Sequence, residues 1–200
     1  MTYCKKLILA SSSPRRSSLL NEYGYQFEVI KSGALESMDK SIGAERLTRL
    51  NALAKANNVA RWNRGRLVLS ADTLVALGND ILGKPKDEDS AIEMLCRLSG
   101  RAHTVITAVA LVCCTRAIKN VFSVKSKLKF ADIQKSWIIE YVKAGEPMDK
   151  AGAYSIEGEA SQWVEEISGS KTNIIGLPME VLAKELIGLG YAGEINVGWE

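Results

Sequence analysis

The chain has 200 residues, 46% of them hydrophobic and 24% charged, which suits one domain spanning 1–200 with two lobes around a cleft. Its formal charge of +3, from 26 basic and 23 acidic residues dispersed among one another, excludes the concentrated basic bias of a nucleic-acid-binding protein. No apolar run reaches the length of a membrane span, so neither nucleic acid nor membrane is an expected partner. Four cysteines (Cys4, Cys96, Cys113 and Cys114) lack metal-ligand spacing and no secretory leader is present, so free thiols in a reducing cytoplasm are expected.

The first two elements carry the most information. An apolar run, Leu7 to Ala10, stops at Ser11-Ser12-Ser13, and Pro14 then opens an apolar-periodic segment. That order predicts strand, hydroxyl-rich turn and helix, with proline in the first helical turn where its missing N–H costs nothing. Arg15 and Arg16 follow, at a helix end whose free N–H groups already make the potential positive. Two solvated arginines are the plain reading. Three serines, a helix N-terminus and two forked guanidiniums together favour a phosphate site. The glycines and terminal Lys-Ser/Thr of a P-loop are absent.

Further along, a short strand is expected over 26–30, then a polar loop containing Glu36, then a helix over 43–62. The apolar stripe of that helix is read as Leu47, Leu50, Ala54 and Val59 or Ala60, with Lys55 at its margin. A strand over 67–77 is turned by Gly78-Asn79-Asp80 into Ile81-Leu82. Asp87-Glu88-Asp89 starts a helix that runs to Leu98 and stops at Gly100. Residues 103–114 and 117–130 read as a hairpin, with Cys113 and Cys114 on opposite faces. Its second strand carries Lys119, Lys125, Lys127 and Lys129, the pattern of a solvated face or a protected edge. A helix over 133–142 pairs Trp137 with Tyr141 and ends at Gly145; a strand over 163–167 and a helix opened by Pro178 complete the chain. Interleaved strands and helices with frequent hairpins predict an α/β fold, a mixed curved sheet with flanking helices.

Asp72 interrupts the apolar strand Leu-Val-Leu-Ser-Ala-Asp-Thr-Leu-Val, where burying a carboxylate is costly. Ser70, Thr73 and backbone N–H groups offer it a purely structural home. Lys84, in Gly83-Lys84-Pro85, follows twelve positions later, and a hairpin returns it toward the carboxylate, with Gly83 permitting close backbone approach. Glu36 and Lys55 are ordinary residues singly. His103 is the only histidine, so no His-based metal site or Ser-His-Asp triad is available, and it is expected to anchor the start of its strand. The loop Asp149-Lys150-Ala151-Gly152-Ala153-Tyr154 sets a charge pair beside small residues, which suits either a backbone approaching a ligand or a surface turn. Cations at Arg15, Arg16, Lys55 and Lys84 with carboxylates at Glu36 and Asp72 suit a polyphosphate held with a divalent cation, Mg²⁺ or Mn²⁺.

An ordered series of segments resembles the Maf family of nucleoside triphosphate pyrophosphatases over essentially the whole chain. It runs through Leu9-Ala10-Ser11-Ser12-Ser13-Pro14-Arg15-Arg16, Glu36, Leu53-Ala54-Lys55-Ala56, Ala71-Asp72-Thr73 and Gly83-Lys84-Pro85. It continues with Leu98-Ser99-Gly100-Arg101, His103, Asp149 to Tyr154, Gly169-Ser170 and Gly176-Leu177-Pro178. The resemblance implies an inosine-triphosphatase-like fold and metal-dependent hydrolysis of a nucleoside triphosphate to monophosphate and pyrophosphate. It also implies a cytoplasmic homodimer, with a role in clearing unwanted nucleotides. Carried over by position, Asp72 is the proton acceptor and, with Glu36, a metal ligand. Ser11, Arg15, Arg16, Lys55 and Lys84 form the substrate and phosphate shell.

Two departures from the family pattern stand out. Leu35-Glu36 replaces the Asp-Glu of many members, so a second loop carboxylate is missing. The specificity positions are mixed: Arg15 and Thr73 match the branch acting on dTTP and UTP, whereas Glu157, where that branch has glutamine, matches the branch acting on 7-methyl-GTP. Two markers against one favour dTTP/UTP, and Glu157→Gln is then expected to raise the preference for those substrates. A different class of reading, a non-enzymatic regulator of division acting through the basic strand at 125–129, follows from the family's link to septum inhibition.

Overall fold

The computed structural model describes residues 6–191 and 193; Cys4 lies outside the described residues. Strand β1 (Leu7–Leu9) is buried along its length and runs parallel to both its neighbours, β2 (Phe27–Val29) and β3 (Val68–Leu77). Beyond β3 the sheet becomes antiparallel. β4 (Asp80–Leu82) folds back on the end of β3, β5 (Ala102–Cys113) follows β3, and β6 (Ile118–Phe130) follows β5. β7 (Val164–Ser168) pairs with the last residues of β6, giving the order β2-β1-β3-β5-β6-β7 with β4 beside β3. The architecture is the mixed α/β sheet with flanking helices that the sequence pattern predicts.

One feature of β3 decides where a cleft can form. β5 occupies one edge of β3 from Val68 to Ala76, so β1 and β4 must share the other edge. β1 pairs there with Val68 and Leu69, and β4 pairs with Val75 to Leu77. The stretch from Ser70 to Leu74 therefore has no strand beside it on that edge. The chain leaving β1 through its serines opens into this gap, the kind of strand switch at which α/β sheets bind ligands.

Helices α1 (Pro14–Glu22) and α6 (Met179–Gly188) cover one face of the parallel part, through Leu19, Leu20, Leu182 and Leu186 packed on Leu7, Leu9 and Leu69. Helix α2 (Ala44–Ala60) covers the other face, in a core rich in alanine: Ala52 and Ala56 meet Ala108 and Ala110. The second lobe is built by α3 (Glu88–Leu98) and α4 (Lys135–Lys143) around Phe130, Tyr141 and Trp163. Asp87 starts α3 with a capping box, in which its side chain accepts from the Ser90 N–H at 2.8 Å. Short α5 (Lys171–Ile175) sits over β5 and β6.

Two expected packing arrangements differ. Leu47, Val59 and Ala60 of α2 are buried as expected, but Leu50 is exposed and Ala54 only partly buried, and Thr48, Asn51, Ala52 and Ala56 complete the buried face. Small residues let the helix approach the sheet closely, so the alanines win the interface over the larger leucine. In α4, Trp137 is half exposed, and the ring contact of Tyr141 is with Trp163, met edge-on with centroids 4.9 Å apart. Cys113, the last residue of β5, is buried, whereas Cys114 lies in the turn beyond the strand and is exposed, so strand alternation does not govern the pair. No helix among the described residues is long and apolar enough to cross a membrane.

Candidate active site

A cavity of about 530 Å³ lies over the gap in β3, within the size range of small-molecule sites. Its walls bring together every phosphate and metal candidate of the sequence: Ser11, Arg15, Arg16, Glu36, Lys55, Asp72 and Lys84, along with Thr73. Lys31 and Lys40, which the sequence reading did not single out, add two further cations.

Lys55 is the centre of the ionic side. Its ammonium lies 2.7 Å from Asp72 Oδ1 and 2.9 Å from Glu36 Oε1. The Asp72 side chain is 8% exposed and the Lys55 side chain 12%, whereas Glu36 is about half exposed, so the pair of carboxylates spans from floor to mouth. Rotation of α2 onto its alanines turns Lys55 inward. Among the described residues the structural home offered by Ser70 and Thr73 is not used: Ser70 Oγ donates to the Ala52 carbonyl, and Asp72 Oδ1 accepts from Lys55. Asn51, one turn before Lys55, clamps the loop that carries Glu36. Its Oδ1 accepts from the Ser37 N–H at 2.8 Å and its Nδ2 donates to the Ser37 carbonyl at 3.2 Å. A polar residue on the buried face of a helix was the available signal for this role.

Arg16 is partly buried, and three of its five N–H groups are spent on the protein. Nε donates to the Gly176 carbonyl at 2.9 Å, Nη1 to Ser11 Oγ and Nη2 to Thr73 Oγ1, both at 3.0 Å. One N–H on each terminal nitrogen remains for a ligand. Burial lowers the affinity of this guanidinium for its proton, and the nearby Asp72 carboxylate works against that. Arg15 makes a looser contact, 3.8 Å to Asp149. No side chain caps α1, so the N-terminal end of that helix keeps its positive character beside Ser11, Ser12 and Ser13.

The β3–β4 hairpin returns Lys84 to the cavity as expected, exposed at its rim. A close backbone approach occurs at Gly83, to Gly152, but it is Gly152 whose missing side chain the approach requires. A Cβ at Gly83 meets nothing within 4 Å, whereas one at Gly152, whose φ is +72°, lies 2.9 Å from Val75 Cγ2. The Gly152 N–H donates to the Gly83 carbonyl at 3.0 Å, tying the 149–154 loop to the Lys84 turn. That loop is both wall and ion pair: Lys150 Nζ meets Asp149 Oδ1 at 2.6 Å, holding the carboxyl below its ordinary range although burial pulls the other way.

His103 anchors its strand. It is buried between Phe130 and Tyr154, and burial pushes its pKa down to about 4. Its Nδ1 faces the Arg101 carbonyl at 3.4 Å, which can only accept, so Nδ1 carries the proton of the neutral ring and Nε2 accepts from the Tyr154 hydroxyl at 2.8 Å. The neutral ring props the Tyr154 side chain at the apolar end of the cavity, near Val75 and Val105. Glu157 is not among the cavity-lining residues; it is exposed, one position beyond the lining residue Ile156.

The donor set for a cation is Glu36 and Asp72, two hard oxygen ligands converging on one ammonium. Among the described residues no group of three or more His, Cys, Asp or Glu side chains forms a cage able to hold a metal alone. Two carboxylates beside a cluster of cations are a hard-oxygen donor pair that fits Mg²⁺ or Mn²⁺ only if further oxygen ligands complete the shell.

The family model of Maf-like proteins matches residues 6–189. The chain belongs to the Maf family. Among curated relatives, a dTTP/UTP pyrophosphatase of Aquifex aeolicus (strain VF5) is 46% identical over 184 residues, covering 90% of this chain and 94% of that protein. Another dTTP/UTP pyrophosphatase, from Geobacillus sp. (strain WCH70), is 41% identical, covering 94% of this chain and the whole of the relative. In fold, this Maf chain resembles the solved Ham1 protein of Staphylococcus aureus, with a TM-score of 0.54 at 16% identity over 92% of this chain and all of the other.

Proposed function

We propose that this Maf protein is a divalent-cation-dependent nucleoside triphosphate pyrophosphatase that cleaves dTTP and UTP to the monophosphate and pyrophosphate. The observation that carries the reading is Asp72. It is a nearly buried carboxylate at the strand switch of a cation-lined cavity, with one oxygen held by Lys55. The substrate class is supported by the names of the relatives.

The triphosphate lies along Ser11, the open N-terminus of α1, Arg15, Lys84 and the two free N–H groups of Arg16, which match its charge. Lys55 fixes Asp72 Oδ1, leaving Oδ2 to take the proton of a water attacking the α-phosphorus. The bond from that phosphorus to the bridging oxygen breaks and pyrophosphate departs, its growing charge met by the surrounding cations. Glu36 and Asp72 would hold Mg²⁺ or Mn²⁺, which supplies charge neutralisation of the phosphates. The base occupies the end of the cavity lined by Thr73, Val75, Val105 and Tyr154.

Glu157 stands outside the cavity wall, which supports the pyrimidine reading over the 7-methyl-GTP one. Lys125 and Lys129 are paired with Glu45 and Glu165, each at 2.6 Å, which weakens the reading of a regulator acting through a free basic strand. Chromatography of the products from dTTP or UTP with Mg²⁺ tests the proposal. Monophosphate and pyrophosphate are expected; nucleoside diphosphate and orthophosphate overturn it, and no turnover across a panel of triphosphates favours the regulator.

A further inference from the structure

We infer that Thr107 is a positioning residue that fixes the direction of the Thr73 hydroxyl, so that Thr73 offers the cavity an acceptor and never a donor. The inference rests on the reading that the base of dTTP or UTP enters this cavity beside Thr73. Four groups form a chain through the sheet. Arg16 Nη2 donates to Thr73 Oγ1 at 3.0 Å, Thr73 Oγ1 lies 3.0 Å from Thr107 Oγ1, and Thr107 Oγ1 lies 2.9 Å from the Asn173 carbonyl oxygen.

Proton counting settles the polarity. A carbonyl oxygen cannot donate, so the single hydroxyl proton of Thr107 belongs to Asn173. The two threonine oxygens then need a proton between them, and only that of Thr73 remains. Its donor is spent, one of its lone pairs faces Arg16, and the other is all it has left for a ligand. Strand register makes the arrangement possible, because Thr73 and Thr107 are direct partners across β3 and β5. The far end is held rigidly: Asn173 is fully buried, and its Nδ2 donates to the Val105 carbonyl at 3.2 Å and to Ser126 Oγ at 3.0 Å. Thr107 is fully buried and does not line the cavity, so it acts only through Thr73.

The consequence is base discrimination within the pyrimidines. Thymine and uracil carry one ring donor, the N3–H, and a group that can only accept matches them there. Cytosine has a bare acceptor nitrogen at the same place, and two lone pairs facing each other are repulsive. A site with a locked acceptor therefore separates two bases of nearly equal size, which a cavity of shape alone does poorly.

The test compares kcat/KM for UTP and CTP in the wild type, Thr107→Val and Thr107→Ser. Valine keeps the shape and removes both the acceptor and the donor, which frees the Thr73 proton to turn toward the cavity. The UTP-to-CTP ratio is expected to fall about tenfold in Thr107→Val, chiefly because CTP improves, and to be restored in Thr107→Ser. Inhibition by inorganic tripolyphosphate, which has no base, is expected to stay within about twofold, since Arg16 keeps all three acceptors. An unchanged ratio overturns the inference, as does a loss of tripolyphosphate inhibition in step with loss of UTP activity, the sign of general loosening. If Thr107→Val does not fold, Thr107→Ala makes the same comparison. Equal cleavage of UTP and CTP by the wild type overturns the base assignment itself, before Thr107 enters.

Discussion

Asp72 and Thr73 are neighbours on one strand, yet they belong to two different kinds of chemistry. Asp72 faces α2 and joins an ionic cluster, Asp72–Lys55–Glu36, that starts on the cavity floor and ends half-exposed at its mouth. Thr73 faces α1 and joins a chain of hydrogen bonds that starts at the Arg16 guanidinium and ends on a buried backbone carbonyl. The first arrangement has charge to move and a carboxylate oxygen to receive a proton. In the second, every proton has one place to be. In the proposed function, strand alternation lets a single β-strand serve the reaction with one residue and substrate recognition with the next.

The largest expected effect falls on the ionic side. Asp72→Asn keeps the size and removes the base, so kcat should fall by roughly 10²–10⁴-fold while the UTP-to-CTP ratio stays where it was. A shift in that ratio, measured by steady-state kinetics, breaks the division between the two faces.

His103 offers the next largest, in stability rather than rate. Its folded pKa of about 4 lies below its ordinary 6.5, so between these values the unfolded chain binds the extra proton. The stabilisation is fully present above about pH 6.5 and is lost as pH falls through about 4, a swing on the order of 3 kcal/mol. Urea unfolding of His103→Gln across that window should show a flatter pH profile than the wild type. An unchanged slope assigns the acid sensitivity to other groups.

Arg16→Lys sharpens the comparison from the other face. A point charge cannot serve Gly176, Ser11, Thr73 and a phosphate together, so kcat/KM should drop roughly ten- to hundredfold at constant formal charge. Tripolyphosphate inhibition should weaken with it, and full activity in the lysine variant reduces Arg16 to a solvated cation. Glu157→Gln should do least. With the side chain outside the cavity, the preference for pyrimidine over guanine triphosphates should move by less than about twofold, against the rise that the sequence pattern alone suggests. A larger change, in competition assays with UTP and GTP, brings Glu157 back to the base.

Much of the site was legible because its signals are local. The serine turn before Pro14, the hairpin that returns Lys84 and the helix start at Asp87 each lie within a few residues, and all three appear where the pattern places them. The orientation of α2 was not legible. Leu50 is the more hydrophobic residue, but Ala52 and Ala56 fit against Ala108 and Ala110, a preference that exists only once the sheet is there. The same holds for Gly152, whose missing side chain matters because Val75 lies against it.

Residue order alone determined the strands, the longer helices and the stock of cations and carboxylates that line the cavity, since periodicity, caps and turn chemistry act between near neighbours; five-residue α5 escaped it. Partnership was decided in three dimensions. Arg16 binds the carbonyl of Gly176, 160 positions away, and Thr73 meets Thr107 across a strand register. Such contacts depend on which edges pair and which helix face turns inward. These outcomes belong to the packing of the whole sheet, so no local stretch of sequence contains them.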